Sequence, residues 1–306
     1  MKKDLLSIYD WSKEDMDKLL QSASVIKKEH VEGTIHTSLQ GKSLAMLFDK
    51  PSMRTRVSFE LAAHQLGGHP LYLDMNEIYA QRGEALSDIA RVISRYVDGI
   101  AVRTFAQETL EELAKEASVP VINALTDLLH PCQVLGDLFT VMEKRGSYTD
   151  LKVAFLGDGN NVANSWINAS LRLGFRLSLA CPPGYEPSEV VMERAKADGG
   201  GNVTLLHEPC EAVSGADVVY TDVWYSMGKE EERAERLEVF RPYQVNASLL
   251  KEAKRDVMVM HCLPAHRGEE VTDEVLDGPH SVVLDQAENR LHLEKALLDT
   301  LIGSHR

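Results

Sequence analysis

Short runs rich in apolar and β-branched residues alternate with segments of helical periodicity along almost the whole chain. This pattern predicts strands at 43–49, 98–103, 119–124, 151–157, 175–180, 202–206, 216–221 and 256–260. It predicts helices at 57–68, 107–117, after Pro131 and at about 285–302. Such alternation is typical of parallel sheets covered by helices. We therefore expect an α/β protein built from mostly parallel sheets with helices on both faces.

The length and one polar stretch predict two domains. The chain has 306 residues, and roughly 150 residues per domain is usual. The polar stretch 144–150 separates the two series of predicted strands and marks the junction. We predict a first domain over 1–145, a second over 146–284, and a C-terminal helix, about 285–306, that packs back on the first. The active site is expected in the cleft between the domains.

Charge and cysteine content exclude several classes of function. Lys and Arg total 33 and Asp and Glu total 47, which gives a net charge of −14. A chain this acidic is a poor candidate for binding nucleic acid or an anionic membrane, so an anionic substrate needs locally concentrated positive charge. The four cysteines form no C-x-x-C pair, and no stretch approaches 18 apolar residues. We expect a cytoplasmic protein with reduced thiols and no signal peptide.

Side chains that suit an anion follow the strands of the first series. Ser52 is a natural N-cap after the first strand, and a helix N-terminus offers backbone N–H groups to phosphate. Thr55 adds a hydroxyl and Arg54 a planar fork, whereas Arg56 is expected to pair with Glu60 four residues on. The alternative is a capped helix with two surface arginines.

Two further residues follow strands in the same half of the chain. Arg103 ends one predicted strand, and His130 stands immediately before the helix that Pro131 begins. Both could donate to an anion or a carbonyl oxygen. A lone histidine is more often structural, so His130 is weak evidence when taken alone.

Acid, amide and thiol groups follow the strands of the second series. Residues 157–162 resemble the start of a dinucleotide fingerprint, but Val162 takes the place of its third glycine, which disfavours a nicotinamide cofactor. Asp222 and Ser226 suit a zwitterionic ligand, and Gly228 suits a loop hinge. Cys262 could act on a substrate, although a buried inert cysteine is the commoner case.

Four motifs together resemble those of the aspartate and ornithine transcarbamoylases. Residues 52–56 (S-M-R-T-R) resemble the family's carbamoyl phosphate loop S-T-R-T-R, and 130–133 (H-P-C-Q) resemble its H-P-x-Q. Residues 222–228 (D-V-W-Y-S-M-G) and 261–264 (H-C-L-P) resemble the two motifs that mark the ornithine branch. The resemblance covers essentially the whole chain.

The resemblance implies carbamoyl transfer from carbamoyl phosphate to the δ-amine of L-ornithine, giving L-citrulline and phosphate, with no metal and no organic cofactor. The catalytic residues that it implies are Arg54, Arg103, His130, Cys262 and Arg290. Those implied for carbamoyl phosphate are Ser52, Met53, Arg54, Thr55, Arg103, His130, Gln133, Cys262, Leu263 and Arg290. Those implied for ornithine are Asn161, Asp222, Ser226 and Met227. It also implies a homo-oligomer, a trimer or a multiple of trimers.

Two positions depart from the family's pattern. Met53 stands where threonine is usual. Tyr79 stands where the family has a glutamine that contacts carbamoyl phosphate, often from a neighbouring subunit, and Gln81 lies two positions on.

Three alternative functions are weighed against this one. A putrescine transcarbamoylase would leave Asp222 and Ser226 with nothing to hold, so the intact S-M-G favours ornithine. A non-catalytic relative that only binds carbamoyl phosphate or regulates a partner is suggested by Tyr79. It is disfavoured because Arg54, His130 and Cys262 are retained. A dehydrogenase is disfavoured because Val162 takes the place of the third glycine of the dinucleotide fingerprint.

Overall fold

The computed structural model describes residues 3–75, 84–198, 201–225 and 232–303. The chain forms two compact units. Unit 1 comprises Met1–Phe139 and Asn289–Arg306, and unit 2 comprises Thr140–Glu288. Both divisions fall inside helices, and the predicted boundary at 145 stays a prediction. Among the described residues, no helix combines the length and apolar character that crossing a bilayer requires.

Unit 1 contains a parallel sheet of four strands in the order β2-β1-β3-β4. Its strands are β1 (Ser43–Phe48), β2 (His69–Asp74), β3 (Gly99–Arg103) and β4 (Val121–Leu125). Its helices are α1 (Lys13–Val31), α2 (Met53–Gln65), α3 (Leu86–Ile93) and α4 (Gln107–Glu116), with most of α5 (Pro131–Arg145). The central strands β1 and β3 are almost wholly buried, as expected where helices cover both faces of a parallel sheet.

Unit 2 contains a parallel sheet of five strands in the order β7-β6-β5-β8-β9. Its strands are β5 (Lys152–Leu156), β6 (Arg176–Ala180), β7 (Val203–Leu206), β8 (Val218–Thr221) and β9 (Met258–His261). Its helices are α6 (Asn161–Leu173), α7 (Glu189–Ala197), α8 (Pro209–Val213), α9 (Arg233–Phe240) and α10 (Asp273–Leu276). The last helix, α11 (Val283–Ile302), begins in unit 2 and ends in unit 1.

Aromatic packing fixes α6 against the sheet of unit 2. Trp166 of α6 meets Tyr220 of β8 edge-on at 5.6 Å, and Tyr220 stacks on Phe155 of β5 at 5.5 Å. All three side chains are fully buried. Such pairs add to the burial of apolar area and hold the start of α6 beside the ends of β5 and β8.

The predicted α/β class with two parallel sheets is confirmed, and each predicted strand ends within two residues of an observed one. Three expectations are corrected. Strand β2 was missed, and α2 begins at Met53 rather than at 57 because Ser52 caps it. The charged run 229–236 is typical of a solvated face or loop. In its described part Arg236 lies on α9 and is only 6% exposed.

Candidate functional site

In an open parallel sheet, ligands bind beyond the carboxyl ends of the strands, where the strand order reverses. In unit 1 the order reverses between β1 and β3, and in unit 2 between β5 and β8. The segments that follow these four strands begin at Asp49, Thr104, Gly157 and Asp222. Topology therefore places one candidate site in each unit, among the residues that the motifs single out.

The first turn of α2 is prepared for an oxyanion. The hydroxyl of Ser52 accepts the N–H of Thr55 at 3.3 Å and donates to the hydroxyl oxygen of Thr55 at 3.1 Å. The first N–H groups of a helix lack intrahelical partners, so those of Met53 and Arg54 remain available to a ligand. The side chain of Met53 is 72% exposed. Its position can therefore serve through its backbone, which explains why methionine can replace threonine there.

Three arginines of unit 1 concentrate positive charge near this turn. Arg103, at the end of β3, is buried, and its Nε has no hydrogen-bond partner in the described part of the chain. Burial, with repulsion from Arg290 and Arg54, lowers the pKa of Arg103 to about 10. An oxyanion among these groups would relieve their repulsion and pair with the guanidinium forks.

A buried network orients Arg290. Its Nη1 donates to Oε1 of Gln133 at 2.7 Å, and its Nη2 and Nε donate to Oε1 of Glu294 at 2.7 and 3.1 Å. Gln133 in turn donates to Asp137 at 2.8 Å. Burial raises the pKa of Glu294, while Arg290 opposes this shift. Glu294 was not among the predicted site residues, although its spacing of four residues from Arg290 on one helix was a usable signal.

The H-P-C-Q motif combines a neutral imidazole with a structural thiol. Burial, together with Arg290 and Arg103, holds the pKa of His130 well below its ordinary value. His130 is therefore neutral at pH 7, so it offers a ligand a hydrogen bond rather than a charge. Cys132 is fully buried, and its thiol donates to the carbonyl oxygen of Asn123 at 3.3 Å. We therefore assign this thiol to packing.

In unit 2, Asp222 is the centre of a hydrogen-bonded cluster. Its Oδ2 accepts the amide of Asn160 at 2.7 Å, and its Oδ1 accepts the N–H of Val223 and the thiol of Cys262, both at 2.8 Å. Asp222 is only 8% exposed. The thiol is the donor in this contact, since two anions at that distance would repel each other. The geometry thus assigns Cys262 a protonated state.

Asn160 holds Asp222 in place and was not among the predicted site residues. Its Oδ1 accepts the N–H groups of Val162 and Ala163 at 2.9 and 3.2 Å and so caps α6, while its amide holds Asp222. An asparagine directly before a helix is a recognisable N-cap. Its second role could not be seen, because it depends on a contact 62 positions along the chain.

The buried imidazole of His261 stabilises the backbone of the H-C-L-P turn. The N–H of Leu263 donates to Nδ1 of His261 at 2.8 Å, so that nitrogen carries no proton. Its Nε2 therefore holds the proton and donates to the fully buried Glu270 at 3.1 Å. Leu263 has φ of 55°, which is uncommon for a bulky residue and is found mostly at functional turns.

The remaining predicted residues either lie elsewhere in the fold or fall outside the described residues. Asn161 is the first residue of α6. Ser226, Met227, Tyr79 and Gln81 lie outside the described residues. The expected pair of Arg56 with Glu60 is confirmed at 3.5 Å, and the guanidinium of Arg56 also lies 4.0 Å from the centre of the Tyr72 ring.

Arg236 supports the Asp222 segment from α9. It donates to the carbonyl oxygen of Trp224 at 2.7 Å and pairs with Asp158 at 3.2 Å. It also lies over the ring of Tyr185 at 4.7 Å. A buried guanidinium with these partners fixes the backbone that follows Asp222.

Fold and sites define a two-domain α/β protein with a cationic oxyanion site in one unit and an acidic, hydrogen-bonding site in the other. Residues 3–143 match the carbamoyl-P binding domain of aspartate/ornithine carbamoyltransferase, and 149–301 match its Asp/Orn binding domain. The chain belongs to the aspartate/ornithine carbamoyltransferase family. The predicted resemblance is thereby confirmed.

The ornithine branch supplies full-length relatives. Ornithine carbamoyltransferase of Syntrophus aciditrophicus is 56% identical over 302 residues, which cover 99% of this chain and 100% of that protein. The structure of ornithine carbamoyltransferase from Pyrococcus furiosus superposes with a TM-score of 0.95 at 52% identity, over 100% of this chain and 98% of that one. The enzyme from Thermus thermophilus gives 0.88 at 44% identity, over 99% of each chain.

Proposed function

We propose that this chain transfers the carbamoyl group of carbamoyl phosphate to the δ-amine of L-ornithine, giving L-citrulline and phosphate. The observation that carries the proposal is the contrast between the two sites. Unit 1 gathers Arg54, Arg103 and Arg290 for a phosphate, and unit 2 offers Asp222 for an ammonium group. Full-length relatives at more than 50% identity bear the name ornithine carbamoyltransferase, which supports the same activity.

We assign the substrates to residues as the family motifs imply. Carbamoyl phosphate is held by Ser52, Met53, Arg54, Thr55, Arg103, His130, Gln133, Cys262, Leu263 and Arg290. Ornithine is held by Asn161, Asp222, Ser226 and Met227. The exposed side chain of Met53 and the capped first turn of α2 support a backbone role for that position. Asn160 and Glu294 act as positioning residues, because they orient Asp222 and Arg290.

The reaction needs a neutral amine. An alkylamine such as the lysine side chain has a pKa of about 10.4, so deprotonation at pH 7 costs roughly 4.6 kcal/mol. Desolvation and nearby arginines lower that cost, and a protonated Cys262 adds no second anion that would oppose them. The amine nitrogen then bonds to the carbamoyl carbon, and the carbon–oxygen bond to phosphate breaks. The surplus amine proton leaves with the phosphate, so no protein base is required.

Charge stabilisation is the second requirement. Negative charge develops on the carbamoyl oxygen and on the departing phosphate. Two unit charges 4 Å apart interact by roughly 4 kcal/mol at an effective dielectric of 20, so preoriented arginines are the largest contribution that we can name. Hydrogen bonds to Gln133 and Glu294 hold the guanidinium of Arg290 in one orientation, which reduces the reorganisation needed during the reaction.

The setting of the enzyme belongs to the same proposal. The chemistry needs neither a metal ion nor an organic cofactor, since the amine is the nucleophile and phosphate is the leaving group. We place the enzyme in the cytoplasm as a homo-oligomer, a trimer or a multiple of trimers, with no nucleic-acid or membrane partner. The acidic net charge supports the exclusion of polyanionic partners.

The test is citrulline formation from carbamoyl phosphate with ornithine, run in parallel with putrescine, lysine and aspartate. We expect turnover with ornithine alone. Turnover of putrescine would show that residues 222–228 do not select the α-amino and carboxylate groups. Binding of carbamoyl phosphate without any turnover would instead support a role limited to binding.

A further inference from the structure

A second cluster of polar atoms lies in unit 2, in the segment that follows the H-C-L-P turn. Nδ1 of His266 and one carboxylate oxygen each of Glu269 and Glu270 lie within 4.8 Å of one another. Nδ1 of His266 is 3.7 Å from Oε2 of Glu269 and 4.0 Å from Oε2 of Glu270. All three atoms are buried, and none has a hydrogen-bond partner in the described part of the chain.

The other atom of each carboxylate is already anchored. Oε1 of Glu270, whose side chain is fully buried, accepts from Nε2 of His261 and from the N–H of His266. Oε1 of Glu269 pairs with Arg233. The ring of His266 stacks on Tyr225 at 4.9 Å. These contacts aim the remaining oxygens and Nδ1 at one point, as outer contacts do around metal ligands.

We propose that His266, Glu269 and Glu270 form a binding site for a divalent first-row transition-metal ion. Buried polar atoms without partners are costly, and a cation among them would satisfy all three at once. One imidazole nitrogen with two carboxylate oxygens suits Zn²⁺, Mn²⁺ or Co²⁺ better than Cu⁺, which prefers sulfur. Ligand separations of 3.7 and 4.0 Å fit metal–ligand bonds of about 2.0–2.2 Å at wide angles.

An ion at this position would have a structural effect on the turn. Glu270 also holds His261, which in turn holds the N–H of Leu263. A metal ion bound to the second oxygen of Glu270 would link these hydrogen bonds to Glu269 and His266. The ion would therefore stabilise unit 2, and it takes no part in the carbamoyl transfer.

The test is a titration of the metal-free protein with Co²⁺, followed by visible absorption, and with Zn²⁺, followed by calorimetry. Co²⁺ bound here should show ligand-field bands without the thiolate charge-transfer band that cysteine ligation produces. Glu269→Gln and His266→Ala should each weaken binding by about 100-fold or more, since even outer-shell changes cost 10–100-fold. Thermal unfolding should show a rise in Tm with Zn²⁺ that both variants lose.

Two controls make the test decisive. Glu274→Gln changes an exposed glutamate elsewhere in unit 2 and should leave binding unchanged. Cys262→Ser removes the thiol of the other described group of possible ligands, Asp222 with His261 and Cys262, and should also leave it unchanged. Absence of binding at millimolar Co²⁺ would overturn the proposal. Binding lost in Cys262→Ser but kept in Glu269→Gln would also overturn it.

Discussion

The two units place their sites by the same topological rule but give them opposite charge. Each site lies beyond the carboxyl ends of parallel strands where the strand order reverses. In unit 1 the side chains there are Arg54 and Arg103, and both Arg54 and Arg290 are close enough to repel Arg103. In unit 2 the central side chain is Asp222, which accepts hydrogen bonds from Asn160 and Cys262. The topology thus predicts where a ligand binds in each unit, and the local charge predicts which kind of ligand.

The two units also differ in how they support their sites. The charged groups of unit 1 are compensated by a buried carboxylate, Glu294, on a helix from the other end of the chain. The carboxylate of unit 2 is held by neutral donors. Removing the buried countercharge Glu294 in unit 1 should therefore cost more stability than removing a neutral donor to Asp222 in unit 2.

The largest expected effect is on stability. Glu294→Gln leaves the guanidinium of Arg290 buried without its countercharge, and breaking a buried ion pair in this way costs about 3–5 kcal/mol. The matched control is Glu60→Gln, which breaks the exposed pair with Arg56 and should cost about 0–1 kcal/mol. Urea denaturation of both variants checks the difference. Equal losses would mean that Glu294 is not the countercharge of the site.

The next effect is on catalysis. Arg54→Ala should lower kcat/KM by about 10²–10³, the usual cost of losing one donor to developing negative charge. Arg56→Ala is the matched control on the same helix, because Arg56 pairs with Glu60 instead, and it should retain activity. Steady-state kinetics decide the matter. An Arg54→Ala enzyme within about threefold of wild type, roughly 0.65 kcal/mol, would remove Arg54 from the phosphate site.

A smaller effect should separate the two substrates. Asp222→Asn keeps the size of the side chain but removes its charge, and a hydrogen bond to a charged group contributes about 1.5–3 kcal/mol. The KM for ornithine should therefore rise about 10–100-fold, while the KM for carbamoyl phosphate stays unchanged. The exposed Asp256→Asn serves as the control. An increase confined to carbamoyl phosphate would reverse the assignment of the units.

The smallest effect concerns the dependence of stability on pH. Because the pKa of folded His130 lies well below 6.5, only the unfolded state takes up that proton as the pH falls below about 6.5. Stability should decrease by about 1.4 kcal/mol per pH unit below that value, until the folded pKa is reached. His130→Asn should lose this slope, and the exposed His64→Asn should keep it. Denaturation midpoints between pH 5 and 7.5 test this, and an unchanged slope in His130→Asn would contradict it.

The strands of the two sheets were largely predictable, because buried parallel strands are continuous apolar runs in the sequence. The prediction missed β2, whose residues 69–74 lie at the sheet edge, are only partly buried and include Pro70. Proline and partial exposure both weaken the strand pattern. The family resemblance, which is confirmed, rested on four short motifs that follow the ends of strands.

Supporting residues were harder to predict than the motif residues. Arg236 stands in a charged run that is typical of a solvated surface, yet it is buried by Tyr185 and by the backbone of Trp224. Glu294 lies among apolar residues of α11 and meets Arg290 only because that face of the helix is covered. Such contacts depend on tertiary burial, which local composition does not contain.

The most direct test of the division between the units is the binding of inorganic phosphate, measured by calorimetry on the wild type, Arg54→Ala and Asp222→Asn. We expect Asp222→Asn to bind phosphate as the wild type does and Arg54→Ala to bind it at least about tenfold more weakly. Equal weakening in both variants, or weakening in Asp222→Asn alone, would contradict the assignment of the phosphate to unit 1.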